Sequence, residues 1–116
     1  MRLITEEVTS TGSGGADINV SLGFVPDFVE LTNQTTRIQI LWSRGDATNT
    51  AGISVAAAGT RATISAGEGV SLLTGSSGDQ DAAGTPNGIT IDAASVVNAT
   101  ASQVIEIKAY MADDDL

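Results

Sequence analysis

The chain has 116 residues, 14 acidic against 5 basic, with no histidine and no cysteine, for a net charge of −9. That length makes one domain, able to bury roughly two-thirds of the surface its unfolded chain exposes. The charge argues against nucleic acid and anionic membranes as partners, because both are held by Lys and Arg. The missing His and Cys remove disulfides, thiolate metal sites and the familiar Ser–His and Cys–His nucleophile pairs. Apolar residues make up 41% of the chain but aromatics only 3%, so the core must be filled by Ala, Val, Ile and Leu. A module packed that thinly gains by burying surface against copies of itself or a larger partner.

Leu3–Val8 (LITEEV) is a first strand or an extended arm, since Glu6-Glu7 interrupts its alternation. Those two acids also stand where a signal peptide needs an apolar core, and no apolar run is long enough to span a membrane, so synthesis in the cytoplasm is expected. Thr9–Gly15 (TSTGSGG) is turn and link chemistry. Residues 1–15 are therefore expected to be an N-terminal arm or edge strand with a flexible link, able to swing onto a neighbouring subunit.

Ala16–Trp42 is the best-patterned stretch. Ile18/Val20/Leu22, Val29/Leu31 and Ile38/Ile40/Trp42 each alternate with polar residues, which predicts three half-buried antiparallel strands. Pro26, in the corner Phe24-Val25-Pro26-Asp27, stiffens the first link, and the polar turn Asn33–Thr36 forms the second. Links this short predict a meander of neighbouring strands. Arg44–Gly52 is a loop by composition, followed by short strands at Ile53–Val55, Arg61–Ile64 and Val70–Leu73. Ser76–Gly88 is the longest irregular stretch, Gly88–Asp92 resumes the alternation, and Ala93–Ala101 is a short helical turn or a connection. Ser102–Ala112 closes the domain, with Ile105, Ile107, Ala109 and Met111 on one face and Val104, Glu106, Lys108 and Tyr110 on the other; the acidic tail 113–116 follows. The prediction is an all-β, single-domain antiparallel β-sandwich or jelly roll of about 8–9 short strands over residues 16–112.

Reactive groups are sparse. Lys108, the sole lysine, is expected to share an exposed face with Glu106 rather than to activate a serine. Asp79-Gln80-Asp81 lacks the spacing and closing Glu of a calcium loop. Arg44-Gly45-Asp46 spells the integrin-recognised tripeptide, but in ordinary turn chemistry. Asn19, Asn33 and Asn98 each open an N-x-[ST] triplet in a chain rich in Ser and Thr. No catalytic residue, cofactor site or metal site is expected, and the chain is not expected to be an enzyme.

The segment LGFVPDFVELTN, the strand RIQILW, the later GITID and the closing SQVIEIKAYMA resemble small virion structural proteins of tailed bacteriophages, most of all capsid decoration, or cement, proteins. The resemblance implies a β-rich module that binds the outside of an assembled head through the major capsid protein, often as a homotrimer, and carries no catalytic residues. A receptor- or carbohydrate-binding module of a tail or fibre is the alternative it leaves. Leu3 and Ile4 on the arm, and Phe24, Pro26 and Phe28 at the stiff corner, are the expected interface residues.

Overall fold

The computed structural model describes residues 2–44, 50–65, 68–72 and 88–111. Alternation at a period of two yields β1 (Arg2–Thr9), β2 (Ile18–Ser21), β3 (Phe28–Asn33), β4 (Gln39–Ser43), β5 (Thr50–Val55), β6 (Arg61–Ser65), β7 (Val70–Leu72), β8 (Gly88–Ile91) and β9 (Val104–Met111). The one helical piece among the described residues is a 3-10 turn, Val96–Asn98, inside the stretch where a turn or connection was expected. Every strand pairing is antiparallel. The strands form a six-stranded sheet, ordered β1-β9-β3-β4-β5-β6, and a three-stranded sheet, ordered β2-β8-β7.

The two layers share one core. From the large sheet it takes Val29, Leu31, Ile40, Trp42, Ile64, Ile105, Ile107 and Ala109; from the small one, Val20, Val70, Ile89 and Ile91. Burial of each large aliphatic side chain contributes about 1.5–3 kcal/mol. β9 lies at the centre of this core, paired with β1 on one side and β3 on the other, and its Ile105, Ile107 and Ala109 are fully buried. The alternation read in Ser102–Ala112 is the one found.

The expected meander holds for β3 and β4, which β5 and β6 then extend as successive neighbours, but not for β2 and β3. β2 belongs to the small sheet, beside β8, and β3 to the large one, so the corner between them carries the chain from one layer to the other. Gly23 adopts φ +80, and Phe24 and Pro26 are buried as the chain crosses. The Asp27 N–H then donates to the Tyr110 carbonyl at 2.7 Å, docking the far side of the corner onto β9. A short link looks the same in sequence whether it joins neighbours or layers. The partner that decides, β9, lies far away in the chain.

The N-terminal segment is also tied down. β1 pairs with β9 along its whole length, from Arg2 opposite Met111 to Thr9 opposite Val104, as the edge strand of the large sheet. The Ser/Gly link behind it is not loose: Ser10 N–H donates to Gln103 O at 2.7 Å, Ser10 Oγ to Thr100 O at 2.5 Å, and Thr11 N–H to Asn98 Oδ1 at 2.8 Å. Serine and glycine favour a link in sequence, but here their polar groups meet the loop that follows the 3-10 turn.

Candidate interaction surface

The pairings define continuous rows of side chains across the large sheet. On the face turned away from the core, one row runs Leu3–Tyr110–Phe28–Ser43. The next runs Thr5–Lys108–Glu30–Leu41–Ile53–Thr63, and the third Glu7–Glu106–Thr32–Gln39–Val55–Arg61. Directly opposite side chains in such rows lie close enough to pack.

Leu3, Tyr110, Phe28, Leu41 and Ile53 thus form an oblique apolar stripe on a face whose other side chains are mostly polar, Val55 and Val104 excepted. Leu3 is 57% exposed and Ile53 40%, and the three between them are half-buried. Phe28 and Tyr110 stack with ring centroids 5.6 Å apart and planes 9° from parallel. The stripe draws on β1, β9, β3, β4 and β5, five strands that neighbour one another in the sheet but run from one end of the chain to the other. Lys108, in the middle row, has its ammonium 3.9 Å from Glu106, sharing the open face as expected; a pair this exposed adds little stability.

The structure divides the expected interface residues between two environments. Leu3 and Phe28 lie on the open face, joined through Tyr110. Ile4 points the other way and packs against the core, and Phe24 and Pro26 are buried at the layer crossing. Tyr110, Leu41 and Ile53 complete the stripe and are not legible as surface contacts in sequence. Their signal is a cross-strand register that only the assembled sheet supplies.

Two other features bear on chemistry. A shallow polar depression of about 300 Å³, lined by Thr32, Asn33, Gln34, Arg37 and Gln39, lies at the β3–β4 turn. At the small sheet, Asp92 Oδ2 accepts a hydrogen bond from Gly69 N–H at 3.0 Å. Burial raises the Asp92 pKa above its ordinary value of 3.8; the Gly69 N–H opposes that shift, and the Asp17 carboxylate adds to it. A raised folded-state pKa means the folded chain holds this proton more tightly than the unfolded chain. The contribution of Asp92 to stability is therefore best below the ordinary carboxylate range and falls as pH rises through its folded value. Asp92→Asn, which keeps an oxygen for Gly69 N–H, is expected to melt higher than the parent near neutral pH. The difference should close as the pH drops below about 4, where the parent's carboxyl is protonated in both states. Melting curves across that range check this, and a variant less stable at neutral pH would show that the charged hydrogen bond outweighs desolvation.

The three glycosylation triplets resolve differently. Asn33 and Asn98 are buried and fully engaged in hydrogen bonds, while Asn19 is exposed and accepts from Thr90 Oγ1 at 2.9 Å. Arg44 pairs with the Asp27 carboxylate; Gly45 and Asp46, the Asp79-Gln80-Asp81 segment and the acidic tail lie outside the described residues. Among the described residues no group of three or more acidic side chains is placed to hold a metal ion. No family model, no curated protein and no solved structure matches the chain.

Proposed function

We propose that the chain is a phage virion structural protein that decorates an assembled capsid and stabilises it by binding the outer surface of the major capsid protein. The observation that carries this reading is the outward face of the six-stranded sheet, where half-buried Phe28, Tyr110 and Leu41 continue into exposed Leu3 and Ile53 as one apolar stripe on a chain of net charge −9. Apolar and aromatic side chains ringed by polar ones make the productive centre of a protein–protein contact. Many modest contacts repeated round a closed shell add up by multivalency, so a stripe of this size suffices. The sequence resemblance to decoration proteins supports the same assignment. The stacked Phe28–Tyr110 pair beside Glu30 and Lys108 gives the tail-fibre alternative its one foothold, since sugars bind on aromatic faces flanked by hydrogen-bonding groups.

The test uses the intact chain and emptied heads of its phage. The chain should co-sediment with heads and raise their melting temperature. Phe28→Ser and Leu41→Ser should each weaken head binding at least tenfold, or about 1.4 kcal/mol, while the isolated variants stay folded. Binding to host cells or glycans, with none to heads, would replace this reading with the alternative.

A further inference from the structure

The two edges of the large sheet are complementary. β1 and β6 close the sheet at opposite ends and run antiparallel to each other, because five successive antiparallel pairings separate them. A second copy laid with its β1 against this β6 would therefore continue the sheet in antiparallel fashion. The rows show which side chains would meet. Glu7 and Arg61 are the two ends of a single row, and Thr5 and Thr63 the two ends of the next. Continuing the rows without a shift brings Glu7 of one copy opposite Arg61 of the other and Thr5 opposite Thr63. It also places Leu3 opposite Ser65, one row beyond the Thr5–Thr63 pair. A shallow depression of about 180 Å³, lined by Ile53, Arg61, Ala62 and Thr63, lies at the β6 edge where Thr5 and Glu7 of the next copy would arrive.

Among the described residues no strand pairs with the outer edge of β1 or of β6. Leu3, Thr5, Glu7 and Thr9 are exposed on β1, and Arg61, Ala62 and Thr63 on β6. An uncovered strand edge presents unpaired N–H and C=O groups that template another strand. Pairing β1 with a second β1 is disfavoured, because it brings Glu6 and Glu7 of both copies to one seam, and like charges in a sheet repel. Pairing β1 with β6 replaces that repulsion with attraction.

We propose that copies of this chain associate head to tail, β1 of one against β6 of the next, with Glu7–Arg61 as the charge pair that sets the register. An interface made from two different edges is heterologous, so it generates a closed ring when the rotation per copy permits. This deepens the decoration reading by naming the contact between copies, and it is tested without heads, so either can fail alone.

Sedimentation of the intact chain over a range of concentrations and salt measures association directly. The parent should self-associate, less so at high salt. Arg61→Glu and Glu7→Lys should each weaken association at least about tenfold, since each faces like charge against like. The double charge swap should restore it, and so should mixing the two single variants, because each then offers the edge the other lacks. Arg61→Gln and Glu7→Gln give smaller losses and guard against any folding defect, which melting curves report. A parent that stays monomeric throughout, or one whose association ignores both positions, overturns the proposal. Tighter association of Glu7→Lys with no effect at Arg61 would overturn it in favour of β1–β1 pairing.

Discussion

Asn98→Ala is expected to cost about 2–4 kcal/mol of stability, more than any surface change in the molecule. Asn98 is fully buried at the end of the 3-10 turn. Its Oδ1 accepts from Thr11 N–H at 2.8 Å, and its Nδ2 donates to Thr11 Oγ1 at 3.0 Å and to the Gly12 and Ala93 carbonyls at 3.1 Å each. One side chain therefore fastens the link between β1 and β2 to the loop before β9. Alanine leaves the Thr11 N–H and the Ala93 carbonyl without this partner in a part-buried site, while Gly12 O keeps Gly15 N–H and Thr11 Oγ1 keeps Ala16 O. The penalty is the desolvation of the orphaned groups together with the lost clamp. Asn98→Asp should do no better: it keeps the acceptor for Thr11 but sets a carboxylate against the two carbonyls. Urea unfolding of both variants measures the loss. An alanine variant within 1 kcal/mol of the parent would mean that water enters and replaces the side chain.

Gly88→Ala is expected to lose about 2–4 kcal/mol through the backbone rather than through hydrogen bonding. Gly88 opens β8 opposite Ser21 of β2, and a Cβ there would fall on the Val20 carbonyl oxygen and crowd the Leu22 nitrogen. Neither is a flexible side chain that could swing aside, so β2 and β8 must separate at that end. Val20 and Leu22 belong to the shared core, and the disturbance should spread inward. The same unfolding measurement checks it, and hydrogen exchange should show the loss of protection concentrated in the small sheet.

The strands were largely legible because their signal is local. Val29/Leu31, Ile40/Trp42 and Ile105/Ile107/Ala109 each carry their own alternation, and each faces the core as that alternation predicts. The partnering of the strands was not legible. β2 and β3 are adjacent in sequence yet lie in different sheets, and β1 pairs with a strand about a hundred residues later, as Glu7 opposite Glu106 shows. No local pattern encodes such a choice; burying both apolar faces at once makes it. The same gap separates the expected contact residues from the stripe. Leu3 and Phe28 could be picked out as large apolar groups near a terminus and a corner. That Tyr110 lies between them follows only from the register of β9 against both β1 and β3. Asn33 and Asn98 looked like triplets of a polar-rich chain, and their role as buried clamps depends on loops that meet only after folding.

The placement of β9 between β1 and β3 has a consequence for how the protein is made. While a ribosome is still adding residues before Val104, β1 has no neighbour, and the Val29/Leu31 face of β3 has lost one of its two flanks. The large layer can close only once nearly all the described chain has emerged, so folding waits on late synthesis. Contacts of such long sequence separation belong with the slower two-state folders, in the millisecond-to-second range. Until then the nascent N-terminal half carries its apolar faces unpaired, and its excess of acidic residues (Glu6, Glu7, Asp17, Asp27 and Glu30 against Arg2, Arg37 and Arg44 among those described) favours its solubility.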